Sequence, residues 1–412
     1  MTIPRRTFVD RMAQAGIGLG AWSTMLDPRM VDAQDGGLAP AEFPGVRGAA
    51  YLNHAASSPL PRRSAAAVST YQTNRQEVHR LYQAGAQDYD ANPLRQKLSR
   101  LLGAPVDSLT FVPTTSDGIV SAVNGIDWRP GDNVVCPSND YPGVIYAALD
   151  LERRGVQVRQ LPVEIHLDLE QLLGLIDGRT RAVLVSHVHW QTGHRIDLAQ
   201  LGRACRAAGV LSVVDAIQSV GATPVDLSAS GVDILVAGGY KWLMGMPGAA
   251  VLYVAPEQLP TIRPDRAGWM SMTTSVFGRP TIAWKPDASR FQVGGQADPA
   301  LVALDQSVEL LLEVGVPTVE RHVKNLLDRL LAGLPGTGLR CLSSLAPESR
   351  STLVCLTTGD RDRDLSLTRE LVARGVIVAH RGPGIRVAPH LHNRPRDIDR
   401  LLTESHAILR SI

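Results

Sequence analysis

Between about residues 60 and 255, short apolar runs alternate with segments whose apolar positions recur every three or four residues. Leu109-Thr110-Phe111-Val112, Asn133-Val134-Val135-Cys136, Ala182-Val183-Leu184-Val185 and Leu211-Ser212-Val213-Val214 are nearly continuous in apolar character. That is the pattern of strands buried on both faces. Tyr146 to Arg154 and Leu198 to Ala208 carry the helical spacing instead. The alternation predicts a mostly parallel sheet with helices on both faces, an α/β fold. Ligands in such folds sit at the C-terminal ends of the strands. Beyond residue 300 the pattern changes. Leu301 to Leu331 reads as a long helical stretch broken near Gly315-Val316-Pro317. Strand-like Thr352-Leu353-Val354-Cys355 and Val376-Ile377-Val378 flank a helix around Leu367 to Ala373, and a last helix is predicted from Pro395 to about Leu409, with Asn393 near its start. The expected division is a leader over residues 1–33, an N-terminal segment over 34–60, a large domain over 61–300 and a smaller α+β domain over 301–412.

At 412 residues the chain is long enough for two packed domains. A net charge of +2, with basic residues scattered, gives no support to a nucleic-acid or acidic-membrane surface. Cys136, Cys205, Cys341 and Cys355 lie far apart, without CxxC or zinc-site spacing, so no disulfide framework or metal cluster is expected.

The N-terminus carries a different signal. Arg5-Arg6-Thr7-Phe8-Val9 is a twin-arginine pair followed by a mildly apolar, glycine-rich run from Met12 to Trp22, and Val31-Asp32-Ala33 supplies small residues suited to cleavage. This resembles a twin-arginine export signal, so a periplasmic location is expected and no membrane association after signal removal. The other reading is an ordinary amphipathic N-terminal helix on a cytoplasmic protein. Gly16-Ile17-Gly18-Leu19-Gly20 follows no strand and is not read as a nucleotide loop.

Two residues carry the candidate chemistry. Asp215 ends the strand Leu211–Val214, with Gln218 just beyond it. Lys241 stands in Gly238-Gly239-Tyr240-Lys241-Trp242-Leu243, flanked by glycines and aromatics. A desolvated lysine loses proton affinity and becomes an amine competent for carbonyl condensation. Paired with a buried carboxylate at strand ends of one sheet, it suggests a cofactor with a cationic end and an aldehyde end.

The set Ser186-His187-Val188, Thr192-Gly193, Asp215-Ala216-Ile217-Gln218 and Gly239-Tyr240-Lys241-Trp242 resembles the class V aminotransferase family of pyridoxal-5′-phosphate (PLP) enzymes. Tyr51-Leu52-Asn53-His54-Ala55 and Ile385-Arg386-Val387-Ala388-Pro389-His390 match that family's opening and closing segments, in its isopenicillin N epimerase-like and cysteine desulfurase-like branch. The resemblance implies PLP-dependent transferase fold type I. It implies a Schiff base of PLP on Lys241, which also moves protons at the substrate α-carbon, with Asp215 paired to the pyridine nitrogen. Gln218 is implied near the ring's phenolic oxygen. Tyr240 joins the cofactor-holding set, and Thr115-Ser116-Asp117-Gly118, which follows a strand and opens a helix, is placed to hold the phosphate. A plain helix cap would use the same residue types. Arg386 is implied to bind a substrate carboxylate and Asn53 to lie beside the substrate. A homodimer is implied as well, acting on a small amino-acid-type molecule by aminotransferase, epimerase or lyase chemistry. An exported member of the family would resemble the periplasmic PLP enzyme that tailors the siderophore pyoverdine.

The chain also departs from the family pattern. Cys136 appears at the position expected to carry the ring that stacks on the cofactor, leaving Trp190 or Tyr141 to cover it. Residues 374–385 contain no cysteine, which argues against desulfuration. His189-Trp190-Gln191 replaces a ring-contacting asparagine, and Gly294-Gly295-Gln296 stands where a Gly-Thr pair often crosses the dimer. Two rival readings remain. One is a metallohydrolase using His187 and His189, with His390 and His392 as a second pair. The other is a non-catalytic periplasmic binding protein on a degenerate PLP fold.

Overall fold

The computed structural model describes residues 37–83, 89–273 and 281–411. The expected export signal lies outside the described residues. Among the described residues, thirteen strands are numbered in chain order. β1 (Ala50–Tyr51) stands apart from the main sheet. That sheet is built from β2 (Leu109–Val112), β3 (Asn133–Pro137), β4 (Gln157–Leu161), β5 (Thr180–Ser186), β6 (Leu211–Asp215), β7 (Ile234–Gly238) and β8 (Ala250–Val254). Its order is β2-β8-β7-β6-β5-β3-β4. Every pairing from β7 to β4 is parallel, while β8 runs antiparallel to both β7 and β2. The mostly parallel α/β sheet is therefore as the hydrophobic pattern predicts.

Local sequence explains how the covering helices start, stop and sit. Asp197 caps the helix Leu198–Ala208 by accepting from the amides of Ala199 and Gln200, and Gly209 ends it at φ 66°. Leu198, Leu201, Gly202 and Cys205 form its buried stripe. Thr114 caps the helix Thr115–Asn124, its hydroxyl accepting from Asp117 N. Gly118 lets that helix lie directly on the sheet, since a Cβ there would come within 2.6 Å of Val236 Cγ1 on β7.

The C-terminal part forms a four-stranded sheet of order β12-β13-β10-β9, from β9 (Arg340–Cys341), β10 (Val354–Thr357), β12 (Ala379–Arg381) and β13 (Gly384–Val387). β11 (Val376–Ile377) pairs instead with β1, and Asn53 bridges to Ala388. The N-terminal segment is thus stitched to the C-terminal layer, which brings Asn53 and Ala55 toward the ends of the main strands. The long helical stretch breaks as expected, into Asp298–Val314 and Val316–Ala332, at Gly315 with φ 82°. Two elements differ from the sequence reading. The helix expected from Tyr146 starts earlier, at Pro142, and continues beyond Leu149 as a 3-10 turn over Asp150–Arg154. The strand expected at residues 352–355 is Val354–Thr357, fixed by its pairing of Val354 with Val387.

Candidate active site

The C-terminal ends of β3, β5, β6 and β7 converge on one place. β6 ends in Asp215, 2% exposed, whose Oδ1 accepts from Ile217 N at 2.9 Å. Burial pushes its carboxyl up to about 7; Asp140 adds to the rise, while the Ile217 amide and the Lys241 charge oppose it. β7 ends at Gly238, and Lys241 follows in a tight loop, 6% exposed. Burial lowers its ammonium to about 8, against the pull of Asp215 and with help from Arg386 and Arg381. Nζ lies 5.7 Å from the Tyr141 ring centroid and 5.8 Å from that of Tyr240.

Gln218, also 2% exposed, is braced by the protein: Trp242 Nε1 donates to its Oε1 at 2.8 Å, and its Nε2 donates to Ala55 O at 3.0 Å. The sequence places it near a cofactor oxygen. The structure shows it tying the lysine loop to the N-terminal segment.

Beside β7 lies a cradle at the start of the helix Thr115–Asn124. Thr115 Oγ1 is buried without a hydrogen-bond partner. A Cβ on Gly238 would come within 2.9 Å of that oxygen, and one on Gly143 within 2.8 Å of Ser116 Oγ, so both glycines keep the cradle open. The first-turn amides of a helix lack intrahelical acceptors and favour an anion. Asp117 is engaged locally: Thr114 Oγ1 accepts from its amide and donates to its carboxylate at 2.7 Å, and Arg266 stands 3.8 Å off.

The opposite wall carries Arg386, 2% exposed on β13. Its Nη1 donates to Trp190 O at 2.7 Å while its Nε is buried without a partner. Burial and the neighbouring Arg381 lower its guanidinium to about 10. The β12–β13 register pairs Ala379 with Arg386 and Arg381 with Gly384, which sets both arginines on the same face. Trp190 Nε1 and Asn53 Oδ1 are also buried and unpartnered. Orphaned buried polar atoms on Arg386, Thr115, Trp190 and Asn53 fit a site that takes PLP and a polar substrate.

Cys136 is fully buried inside β3, packed in the layer with Val112 and Ala182. The pocket-facing ring on that strand-to-helix connection is Tyr141, which Trp190 meets edge-on at 5.7 Å. Two residues were missed by the sequence reading. Arg381 is one. Asp140 is the other; it is 7% exposed and accepts from Ser186 N at 2.8 Å, Ser186 Oγ at 2.5 Å and Tyr141 N at 2.6 Å. It ties the ends of β3 and β5 together beside Asp215.

The histidine pairs do not build a metal centre. His189 spends its nitrogens on Asn139 O and Thr192 Oγ1, both at 3.0 Å. His187 is buried, with its ring lowered to about 3 by desolvation and by Arg195. His390 Nε2 is on Trp242 O at 3.0 Å, and His392 stacks on Phe43 at 4.7 Å. Among the described residues no three His, Cys, Asp or Glu side chains gather to hold an ion.

Comparisons with known proteins agree with this site. The sequence model of the Aminotransferase class-V family matches residues 50–395. An uncharacterized aminotransferase of Bacillus subtilis is 30% identical over 75% of this chain and 81% of its own length. A kynureninase of Deinococcus radiodurans is 29% identical over 84% and 86% of the two chains. Among solved structures, the cystine C–S lyase C-DES in complex with cysteine persulfide superposes with a TM-score of 0.78 at 25% identity, over 88% of this chain and 99% of that one. A C-DES variant carrying glycine covalently linked to its PLP cofactor superposes at 0.79, again at 25% identity, over 89% and 98%. With the family matched over most of its length and the site arranged to hold PLP, this chain belongs to the class V aminotransferase family of PLP-dependent enzymes, on the type I fold.

Proposed function

We propose that the protein removes the α-proton of an amino acid, free or within a larger metabolite, with Lys241 as base and Arg386 as carboxylate anchor. The observation that carries this reading is Lys241 itself. It is a nearly buried amine, held at about 8, in the field of the strand-end carboxylate Asp215. When bound, PLP supplies an electron sink for the charge left on the α-carbon. The chain's residues do the rest. Lys241 Nζ would hold the cofactor's aldehyde carbon and, as a free amine, would take and return the α-proton. Asp215 would stabilise positive charge at the ring nitrogen, and such a charge would favour its ionised form over the neutral one that burial favours. Thr115 and Ser116 would hold the phosphate at the helix start. Tyr141 would cover the ring. Arg386 presents its unpartnered Nε to a carboxylate and so fixes which α-substituent faces Lys241.

Aminotransfer, epimerisation and elimination all begin with this step, and the reaction belongs among them. Desulfuration through a persulfide on the chain's own thiol is disfavoured. Cys136, Cys205 and Cys355 are buried with their thiols pushed up to about 12, and Cys341 is half-buried with its thiol raised as well.

We further infer a homodimer and export to the periplasm. The dimer is supported by the open cavity of about 280 Å³ beside Gly294, Gly295 and Gln296, next to the phosphate cradle. Export is supported by Arg5-Arg6 and the apolar run after them.

The test is α-proton exchange. The PLP-loaded protein is incubated in D2O with a panel of amino acids, and loss of the α-proton signal is followed by NMR. Exchange with at least one class, abolished in Lys241→Ala, is the expected result. Exchange that persists in Lys241→Ala would overturn the assignment of the base.

A further inference from the structure

The lysine loop contains a backbone strain that catalysis as described does not explain. Met244 has φ 57°, left-handed for a non-glycine residue, and is fully buried. Such a conformation costs free energy and persists only where the surroundings hold it. Here it closes the loop: Met244 N donates to Lys241 O at 3.0 Å, and Gly245 N to Gly239 O at 2.8 Å. Two more carbonyls of the loop are also held. Ser58 N donates to Tyr240 O at 2.9 Å, and His390 Nε2 bonds to Trp242 O at 3.0 Å.

The carbonyl of the strained residue itself takes its hydrogen bond from outside the loop. Ser307, on the helix Asp298–Val314, donates its Oγ hydrogen to Met244 O at 2.8 Å. Ser64, on the helix Arg62–Gln76, lies with its Oγ 2.8 Å from Ser307 Oγ, and both serines are fully buried. Ser307 Oγ also lies 3.0 Å from Ala303 O in its own helix, so its single hydrogen has a competing acceptor. Ser307 gives its hydrogen to Met244 O, which leaves Ser64 as the donor between the two hydroxyls, and the strained turn is fastened to the helix Asp298–Val314.

We propose that Ser307 is a positioning residue for Lys241, acting through the left-handed turn at Met244. The proposal rests on Lys241 being the cofactor's anchor. Removing the hydroxyl leaves a buried carbonyl unpaired at the residue least able to tolerate it. The turn then relaxes toward negative φ, the Lys241 O–Met244 N closure opens, and Nζ shifts relative to Asp215. Ser64 is not required for this, since Ser307 keeps its own hydrogen for Met244 O without it.

The experiment compares wild type, Ser307→Ala and Ser64→Ala as PLP-loaded proteins, with two readouts that need no substrate. The first is the pH titration of the bound cofactor's visible absorbance. The second is the rate at which hydroxylamine strips the cofactor from the protein. A displaced amine is expected to move the titration midpoint by about half a unit or more and to speed release about tenfold in Ser307→Ala. Ser64→Ala removes a hydroxyl from the same buried pocket and is expected to lose thermal stability while keeping the wild-type midpoint and release rate. The Met244→Gly background supplies the second arm, because glycine adopts the turn without strain. There, adding Ser307→Ala is expected to change neither readout, and this comparison stands even if Ser307→Ala alone does not fold. Wild-type behaviour in Ser307→Ala, or an equal shift in Ser64→Ala, would overturn the proposal. So would an undiminished Ser307→Ala effect in the Met244→Gly background. A wild-type protein with no visible band would instead refute the assignment of Lys241 as anchor.

Discussion

Replacing Asp215 by Asn should stabilise the cofactor-free protein at alkaline pH while impairing the loaded one. Burial holds the Asp215 carboxyl at about 7 against 3.8 for a free aspartate. With rising pH the unfolded chain therefore ionises this group first, while the folded chain still binds the proton. Stability then falls from about pH 4 to about pH 7 and stays level above it, opposite to the usual salt-bridged aspartate. A gap of about three units at ~1.4 kcal/mol each gives a ceiling of about 4 kcal/mol above pH 7 and about 2 kcal/mol at pH 5. Asparagine carries no charge to bury, and its Oδ1 can still accept the hydrogen bond that Ile217 N makes at 2.9 Å. The assay is urea unfolding of the cofactor-free wild type and Asp215→Asn at pH 5 and pH 8. The variant is expected to gain about 2 kcal/mol relative to wild type between the two pH values, half the ceiling at pH 8. A stability difference that does not change with pH, or a wild type that is the more stable at pH 8, would refute an Asp215 whose burial outweighs its partners.

Three further outcomes follow from the same geometry. Lys241→Ala is expected to fold and to bind PLP non-covalently, with turnover reduced about a thousandfold or more, checked by gel filtration, absorbance and steady-state kinetics. Arg386→Lys keeps the charge but loses the planar fork, so KM for a carboxylate substrate should rise about tenfold to a hundredfold with a smaller change in kcat. Gly238→Ala puts a Cβ 2.8 Å from Ile217 Cδ1 and 2.9 Å from Thr115 Oγ1. It should weaken PLP retention by about tenfold or more in equilibrium dialysis while leaving Arg386 in place, a cost in the range of about 1–3 kcal/mol for overpacking.

The parts of this site that sit directly on strand ends were legible in the sequence. Asp215 follows an apolar run, and a glycine-flanked Lys241 reads as desolvated, so both could be placed before any contact was known. What could not be read depends on pairing between distant segments. The bounds of β7 are not marked locally, because Ile234–Gly238 runs straight into Gly239 and the lysine loop. Arg381 shares a face with Arg386 only through the β12–β13 register, which nothing in the local pattern specifies. The position of Cys136 rests on the resemblance alone; β3 continues past it to Pro137, and the ring near Lys241 Nζ comes from Tyr141, one of the two candidates. Asp140 reads as one polar residue in a loop, and its burial comes from Ser186 across the sheet. Ser307 carries no signal of its own in a helix full of small and apolar residues.

The most direct test of the central claim is to load the protein with PLP, reduce it with borohydride and map the labelled peptide. The account predicts a visible absorbance band that reduction abolishes and a pyridoxyl label on Lys241 alone. No band after PLP is added, or a label spread over Lys97, Lys285 and Lys324, would contradict it.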